Sequence, residues 1–171
     1  PELEQTQDRV PDKSFRQKDS FRTLSSSSVS SVFEKTINGM AFCVDFSPDG
    51  KKIAIGSHYR IHLWNTNNWS QQKIIDAHQE NVTDVVFSPD GTILASGSQD
   101  CTTKLWDTKD GSLLSSLDNR SLVEKATDGF WNGFASKYRV DRLAFSPQGD
   151  ILVSGNDYNG FLRFWRLFDR K

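Results

Sequence analysis

The 171 residues carry 21 basic and 22 acidic side chains, a formal net charge of −1, so no cationic field is available to gather nucleic acid or anionic lipid, and neither is expected as a partner. No apolar run approaches the ~18 residues of a membrane span, and the first residues lack a charged-then-apolar signal pattern; an intracellular chain, cytoplasmic or nuclear and not membrane-bound, is expected. Cys43 and Cys101 are too few for a disulfide framework and are read as free thiols.

In chain order, residues 1–30 mix scattered charges with the run Ser25 to Ser28, and their few apolar residues keep no period. Such a stretch cannot bury enough surface to offset its ordering entropy, so a disordered tail or linker is expected there. Short alternating runs then follow at 31–37, 40–46, 52–57, 60–64 and 71–76. A second set covers 82–88, 92–98, 102–106 and 112–117, and a third 139–145, 150–155 and 161–166. Their length, β-branched content and flanking turn residues predict strands, and no long helical period competes.

Between the first two strands of each set one turn recurs, as Phe46-Ser47-Pro48-Asp49-Gly50, Phe87-Ser88-Pro89-Asp90-Gly91 and Phe145-Ser146-Pro147-Gln148-Gly149. Proline presets φ at the second turn position and glycine relieves strain at the fourth, so each turn folds two strands into a hairpin. A tryptophan follows each time in the third strand, at Trp64, Trp106 and Trp165. The phenylalanines are 41 and 58 residues apart, one period near forty and one lengthened by an insertion at 119–137. A recurrence of that length marks a supersecondary unit that must stack on its neighbours to bury its faces.

These turns, the Trp106-Asp107 pair and the upstream Ala77-His78 resemble the WD-repeat β-propeller family, over about residues 31–171. The resemblance implies an all-β fold of three four-stranded antiparallel blades, at 31–76, 77–118 and 119–171. The strand at 31–37 would be an outer strand contributed by the opposite end of the chain, so the two chain ends are complementary parts of one blade. Three blades do not close a ring; propellers hold about four to eight. The chain is therefore expected to be part of a propeller or half of a dimeric one, its bare faces covered by further blades from a second copy or from missing chain.

Ser, His and Asp occur together in the second repeat and invite a catalytic reading. The resemblance instead implies a structural hydrogen-bond network of His78, Ser96, Asp100 and Trp106. Its counterpart in the third repeat would be Ser154, Asp157 and Trp165, with Ser136 in the place of His78. The first repeat would keep Trp64 alone, with Gly56 and Ile37 replacing serine and histidine. His58 and His62 lie too far apart on an extended strand to share a metal ion. No metal, no cofactor and no enzyme activity are expected.

What remains is surface. The resemblance places a protein-binding face at Met40 and Phe42, at Asn81, Thr83 and Gln99, and at Arg139, Asp141 and Asn156, where other proteins or peptides would dock. Phe42 is alternatively a core residue, alternating with Val44 and Phe46. In the insertion, Phe130, Trp131 and Phe134 form either a partner contact or a lid packed on the blade. A non-catalytic scaffold for protein–protein interaction within a complex is the expected function; the alternative is a sensor or regulatory propeller module fused to an enzyme or signalling ATPase.

Overall fold

The computed structural model describes residues 40–120, 138–158 and 160–167. The expected strand at 31–37, with Ile37, lies outside the described residues, as do Ser136 and the insertion aromatics Phe130, Trp131 and Phe134.

Local chemistry makes the hairpins. In each repeated turn the serine hydroxyl accepts the N–H that opens the next strand, from Lys52 at 2.9 Å, Ile93 at 2.9 Å and Ile151 at 3.0 Å. The same hydroxyl donates to a carboxylate inside the turn, Asp49 or Asp90. Where Gln148 interrupts the pattern, Asp150 takes over at 2.7 Å. Gly50, Gly91 and Gly149 sit at φ of 69°, 72° and 73°, a region that a Cβ disfavours. The hydroxyl and carboxylate bonds that close these turns lie within them, and the Gly50 and Gly91 carbonyls are further bonded by Thr66 and Thr108.

Among the described residues the strands form three antiparallel meanders. The first sheet is β1 (Cys43–Phe46), β2 (Lys52–Gly56), β3 (Arg60–Asn65) and β4 (Ser70–Asp76), paired in sequence order. The second is β5 (Val82–Phe87), β6 (Ile93–Ser98), β7 (Thr102–Asp107) and β8 (Leu113–Asp118). The third holds β9 (Arg142–Phe145), β10 (Ile151–Gly155) and β11 (Leu162–Arg166). A register shift precedes Trp64 and Trp106 alike, a bulge that strengthens the twist where the outermost strand begins.

Register decides which residues face which neighbour. Ile61, Leu63 and Ala54 of the first sheet pack against Val85, Phe87, Leu94 and Trp106 of the second. The opposite side of the second sheet, Ala95 and Leu105, packs against Leu143, Leu152 and Trp165 of the third. Trp106 and Trp165 thus each face the preceding sheet, and the stack is the core. By the same alternation Val44, Phe46 and Ile74 lie on the outer face of the first sheet and Leu162 and Phe164 on that of the third, all exposed.

The register also corrects one expectation. Ile53 pairs with Trp64 as Leu94 pairs with Trp106, so the place of Ser96 in the first sheet belongs to Ile55, and Gly56 corresponds to Gly97. Both glycines are needed for close approach. A Cβ on Gly56 would lie 2.4 Å from Cys43 Sγ and 2.8 Å from Val82 Cγ1, and one on Gly97 would lie 2.4 Å from Val140 Cγ1. Val82 and Val140, fully buried, each wedge the next repeat against the glycine of the one before.

Gly97→Ala is expected to cost about 1–3 kcal/mol through overpacking, read as a lowered urea midpoint with unchanged slope. The added truncation Val140→Ala should cost less in that background than in the wild type, because the clash has gone.

Candidate protein-docking face

In a meander, alternate connections fall at the same end of the sheet. One end therefore gathers the leads into β1, β5 and β9 together with the β2–β3, β6–β7 and β10–β11 turns. Backbone bonds across the sheets hold this end together, from Val82 N–H to His58 C=O at 2.8 Å and from Val140 N–H to Ser98 C=O at 2.9 Å.

Beneath it lies a buried polar chain. Trp106 Nε1–H donates to Ser96 Oγ at 2.8 Å, and Ser96 Oγ is 2.8 Å from His78 Nε2. His78 Nδ1 lies 2.9 Å from Asp100 Oδ2. A carboxylate only accepts, so Nδ1 carries the ring proton and Nε2 accepts from the serine. Asp100 also takes the Gln79 N–H at 3.0 Å and the Thr102 hydroxyl at 2.6 Å. Burial by itself would push the Asp100 carboxyl up, but these contacts, His78 foremost, outweigh it and hold the group well below the usual carboxylate range. Ser96 is fully buried and its lone pair is engaged by the indole N–H, so no substrate can approach its oxygen. The set ties β6, β7 and the β4–β5 link together; each link is worth about 1 kcal/mol net.

The third repeat builds this differently. Trp165 Nε1–H donates to Ser154 Oγ at 3.0 Å, and Ser154 Oγ donates to Asn119 Oδ1 at 2.7 Å. Asn119 is buried, and its N–H reaches Cys101 C=O as the Ala77 N–H reaches Tyr59 C=O, so it stands one position before the histidine place. Asp157 is not linked to Ser154. It is exposed, its N–H donates to Asp141 Oδ2 at 2.8 Å, and its carboxylate is 3.9 Å from Arg142. In the first repeat His62, next but one before Trp64, sits 3.2 Å from Ser57 Oγ. His58 stacks edge-on to Phe42 at 5.7 Å. The two histidines are thus held by different partners.

Sequence reasoning missed two carboxylates on the innermost strands. Asp45 Oδ1 accepts the Phe46 N–H at 2.9 Å while Oδ2 accepts the Phe87 N–H at 2.8 Å. Asp84 repeats this, taking the Val85 N–H at 3.0 Å and the Leu143 N–H at 2.7 Å. Each therefore clips the innermost strand of one sheet to that of the next. Burial raises the Asp84 carboxyl above its usual range, against the pull of the Leu143 and Val85 N–H groups and Arg142. Beside it, burial first and the Asp84 charge second push the Cys43 thiol up to about 12, so it stays protonated and unreactive. The signal in the sequence was an Asp breaking the apolar alternation of an inner strand.

Of the residues expected on the docking face, Met40 and Phe42 are 59% and 44% exposed, which places Phe42 outside the core. Tyr59, Tyr158 and Phe161 join them as exposed aromatics at this end. Asn81 is bonded to Gln99 at 3.2 Å, and the Thr83 hydroxyl donates to Val140 C=O. Asp141 and Asn156 turn inward, Asp141 accepting from Arg139 and Asn156 donating to Arg139 C=O at 2.8 Å. The polar members thus hold the loops in place, and the apolar ones remain open.

Because the folded-state pKa of Asp100 is depressed, its contribution is present above the unfolded value near ~4 and is lost as pH falls below it. Asp100→Asn should lower stability at pH 7 by about 1–3 kcal/mol, and its denaturant midpoint should fall less than that of the wild type between pH 5 and 3, both read by urea titration. Asp84→Ala should likewise reduce stability by about 1.5–3 kcal/mol through the lost clip to Leu143.

Three stretches of the chain, residues 21–65, 69–107 and 131–166, match the WD domain, G-beta repeat family. Similar proteins include the small ribosomal subunit protein RACK1y of Oryza sativa subsp. japonica, 38% identical over 88 residues, which is 50% of this chain and 26% of that protein. The transcriptional corepressor LEUNIG_HOMOLOG of Arabidopsis thaliana is 30% identical over 73% of this chain and 14% of its own length. The target of rapamycin complex subunit wat1 of Schizosaccharomyces pombe is 31% identical over 71% of this chain and 33% of its own. The chain thus spans a third or less of these relatives. With three stacked antiparallel sheets, the recurring serine–glycine turns and matches over most of its length, the chain belongs to the WD40 repeat family.

Proposed function

We propose that this chain is a non-catalytic WD40 scaffold that docks other proteins or peptides within a multiprotein complex, through the loop end that bears Met40, Phe42 and Tyr59. The observation that carries this reading is the contrast at that end: polar loop side chains are bonded internally, whereas large apolar ones are left in solvent. Exposed aromatics held by a rigid scaffold are the residues from which interface anchors are drawn. Relatives named as a ribosomal-subunit protein, a transcriptional corepressor and a target of rapamycin complex subunit support work inside assemblies, in cytoplasm or nucleus. The Ser96–His78–Asp100 set supports the non-catalytic side of the reading, since its hydroxyl is sealed from solvent.

The outer sheet faces belong to the same proposal. Val44, Phe46 and Ile74 on one side and Leu162 and Phe164 on the other form apolar surfaces of the kind that soluble proteins cover. Further blades, from a second copy or from additional chain, are the occupants that fit a sheet face. Sedimentation equilibrium of residues 1–171 distinguishes them: twice the chain mass supports a second copy, whereas aggregation relieved by co-expressed additional blades supports the other.

Panning a random peptide library on the protein tests the docking reading. Selected peptides should bind the wild type, and Phe42→Ala with Tyr59→Ala should weaken them at least about tenfold, the scale of an anchor worth ~1.4 kcal/mol or more. Binding untouched by both changes would refute it.

A further inference from the structure

We propose that the occupant of the loop end is a basic peptide segment, apolar side chains seated on Met40, Phe42 and Tyr59 and a lysine or arginine set against Glu80; this rests on the docking reading above. Ring contacts join Phe42 to Tyr59 through His58. Phe42 meets the His58 ring edge-on at 5.7 Å, and the His58 and Tyr59 rings are 6.2 Å apart. Glu80 rises beside it, because the His58 and Tyr59 carbonyls accept the Val82, Ala77 and His78 N–H groups on either side of that residue.

The charge of the occupant follows from how the cations at this end are already used. Arg60 is paired with Asp76 at 2.7 Å, and Arg120 with Asp118 at 2.8 Å. Arg139 is paired with Asp141 at 2.9 Å and Arg142 with Asp157 at 3.9 Å. The half-buried Lys104 ammonium is drawn between the first two sheets onto the Ala77 carbonyl at 2.6 Å. Arg163, at the third-sheet side of this end, is instead stacked over the Phe161 and Trp165 rings at 5.2 and 5.7 Å, and beside the Met40, Phe42 and Tyr59 strip the guanidinium of Arg60 is paired. Glu80 is exposed and has no lysine or arginine at ion-pair distance among the described residues, whereas Asp84 is taken up by the Val85 and Leu143 N–H groups and Asp100 by His78. An acidic peptide would meet the uncompensated Glu80 carboxylate, whereas a basic one finds a countercharge there and aromatic faces for its cations.

Two fluorescein-labelled dodecapeptides decide this by anisotropy, each with two leucines in a Gly-Ser background, one bearing four lysines and the other four glutamates. The lysine peptide is expected to bind about tenfold or more tightly than the glutamate peptide. Glu80→Lys should cut its affinity about two- to fivefold, the scale of one exposed ion pair, and raised salt should weaken it further. Near-ultraviolet circular dichroism of the buried tryptophans confirms that each variant is folded. Equal or preferred binding of the glutamate peptide, or no binding of the lysine peptide, overturns the proposal. If both peptides bind and both are lost in Phe42→Ala, the docking face stands and only its charge preference falls. If neither responds to Phe42→Ala with Tyr59→Ala, the docking face falls with it.

Discussion

A small sheet with β-branched residues on both faces has no side it can leave in water, so stacking is the constraint on which the rest of this protein depends. Gly56 and Gly97 allow it by letting Val82 and Val140 approach to contact. Large apolar residues then fill the gaps, Trp106 turned toward the first sheet and Trp165 toward the second. The polar groups are arranged so that this stacking leaves few of them stranded. Asp45 and Asp84 take N–H groups of the next innermost strand, and the Ser96 and Ser154 hydroxyls take the indole N–H groups that burial would otherwise orphan.

Stacking also divides the surface by role. The facing sides of the three sheets are spent on one another. The loop end carries the residues that stacking does not consume, and there the chain uses polar side chains to fix loops and leaves aromatics outward. Met40, Phe42 and Tyr59 accordingly belong to neither buried cluster. A serine, histidine and aspartate in hydrogen-bond contact look like catalytic machinery when taken as residue types. Their burial and the indole donor convert the same contacts into a brace.

Similarity to known proteins and physical reasoning meet at the level of the family and separate below it. The relatives that match differ in what their names say they assemble with, and the chain covers a third or less of each. At the loop end Glu80 stands exposed beside Met40, Phe42 and Tyr59, with Arg60, Arg120, Arg139 and Arg142 ion-paired and Arg163 stacked on Phe161 and Trp165.

The chain by itself determined the strands, the hairpins and their recurrence, because these rest on neighbours in sequence. Ser88, Asp90 and Gly91 close a turn using only their own atoms, and alternation declares which residues share a face. The set His78, Ser96, Asp100 and Trp106 was legible only through the resemblance to WD-repeat proteins, since its members lie 10 to 22 residues apart. Tertiary structure decided what depends on residues far apart. It put Asn119 beside Ser154, moved Asp157 to the surface, matched Gly56 with Gly97 and joined Asp84 to Leu143. Register and stacking select such partners by position in space, and a one-residue slip, invisible in a sequence pattern, carries a side chain to the opposite face of its sheet.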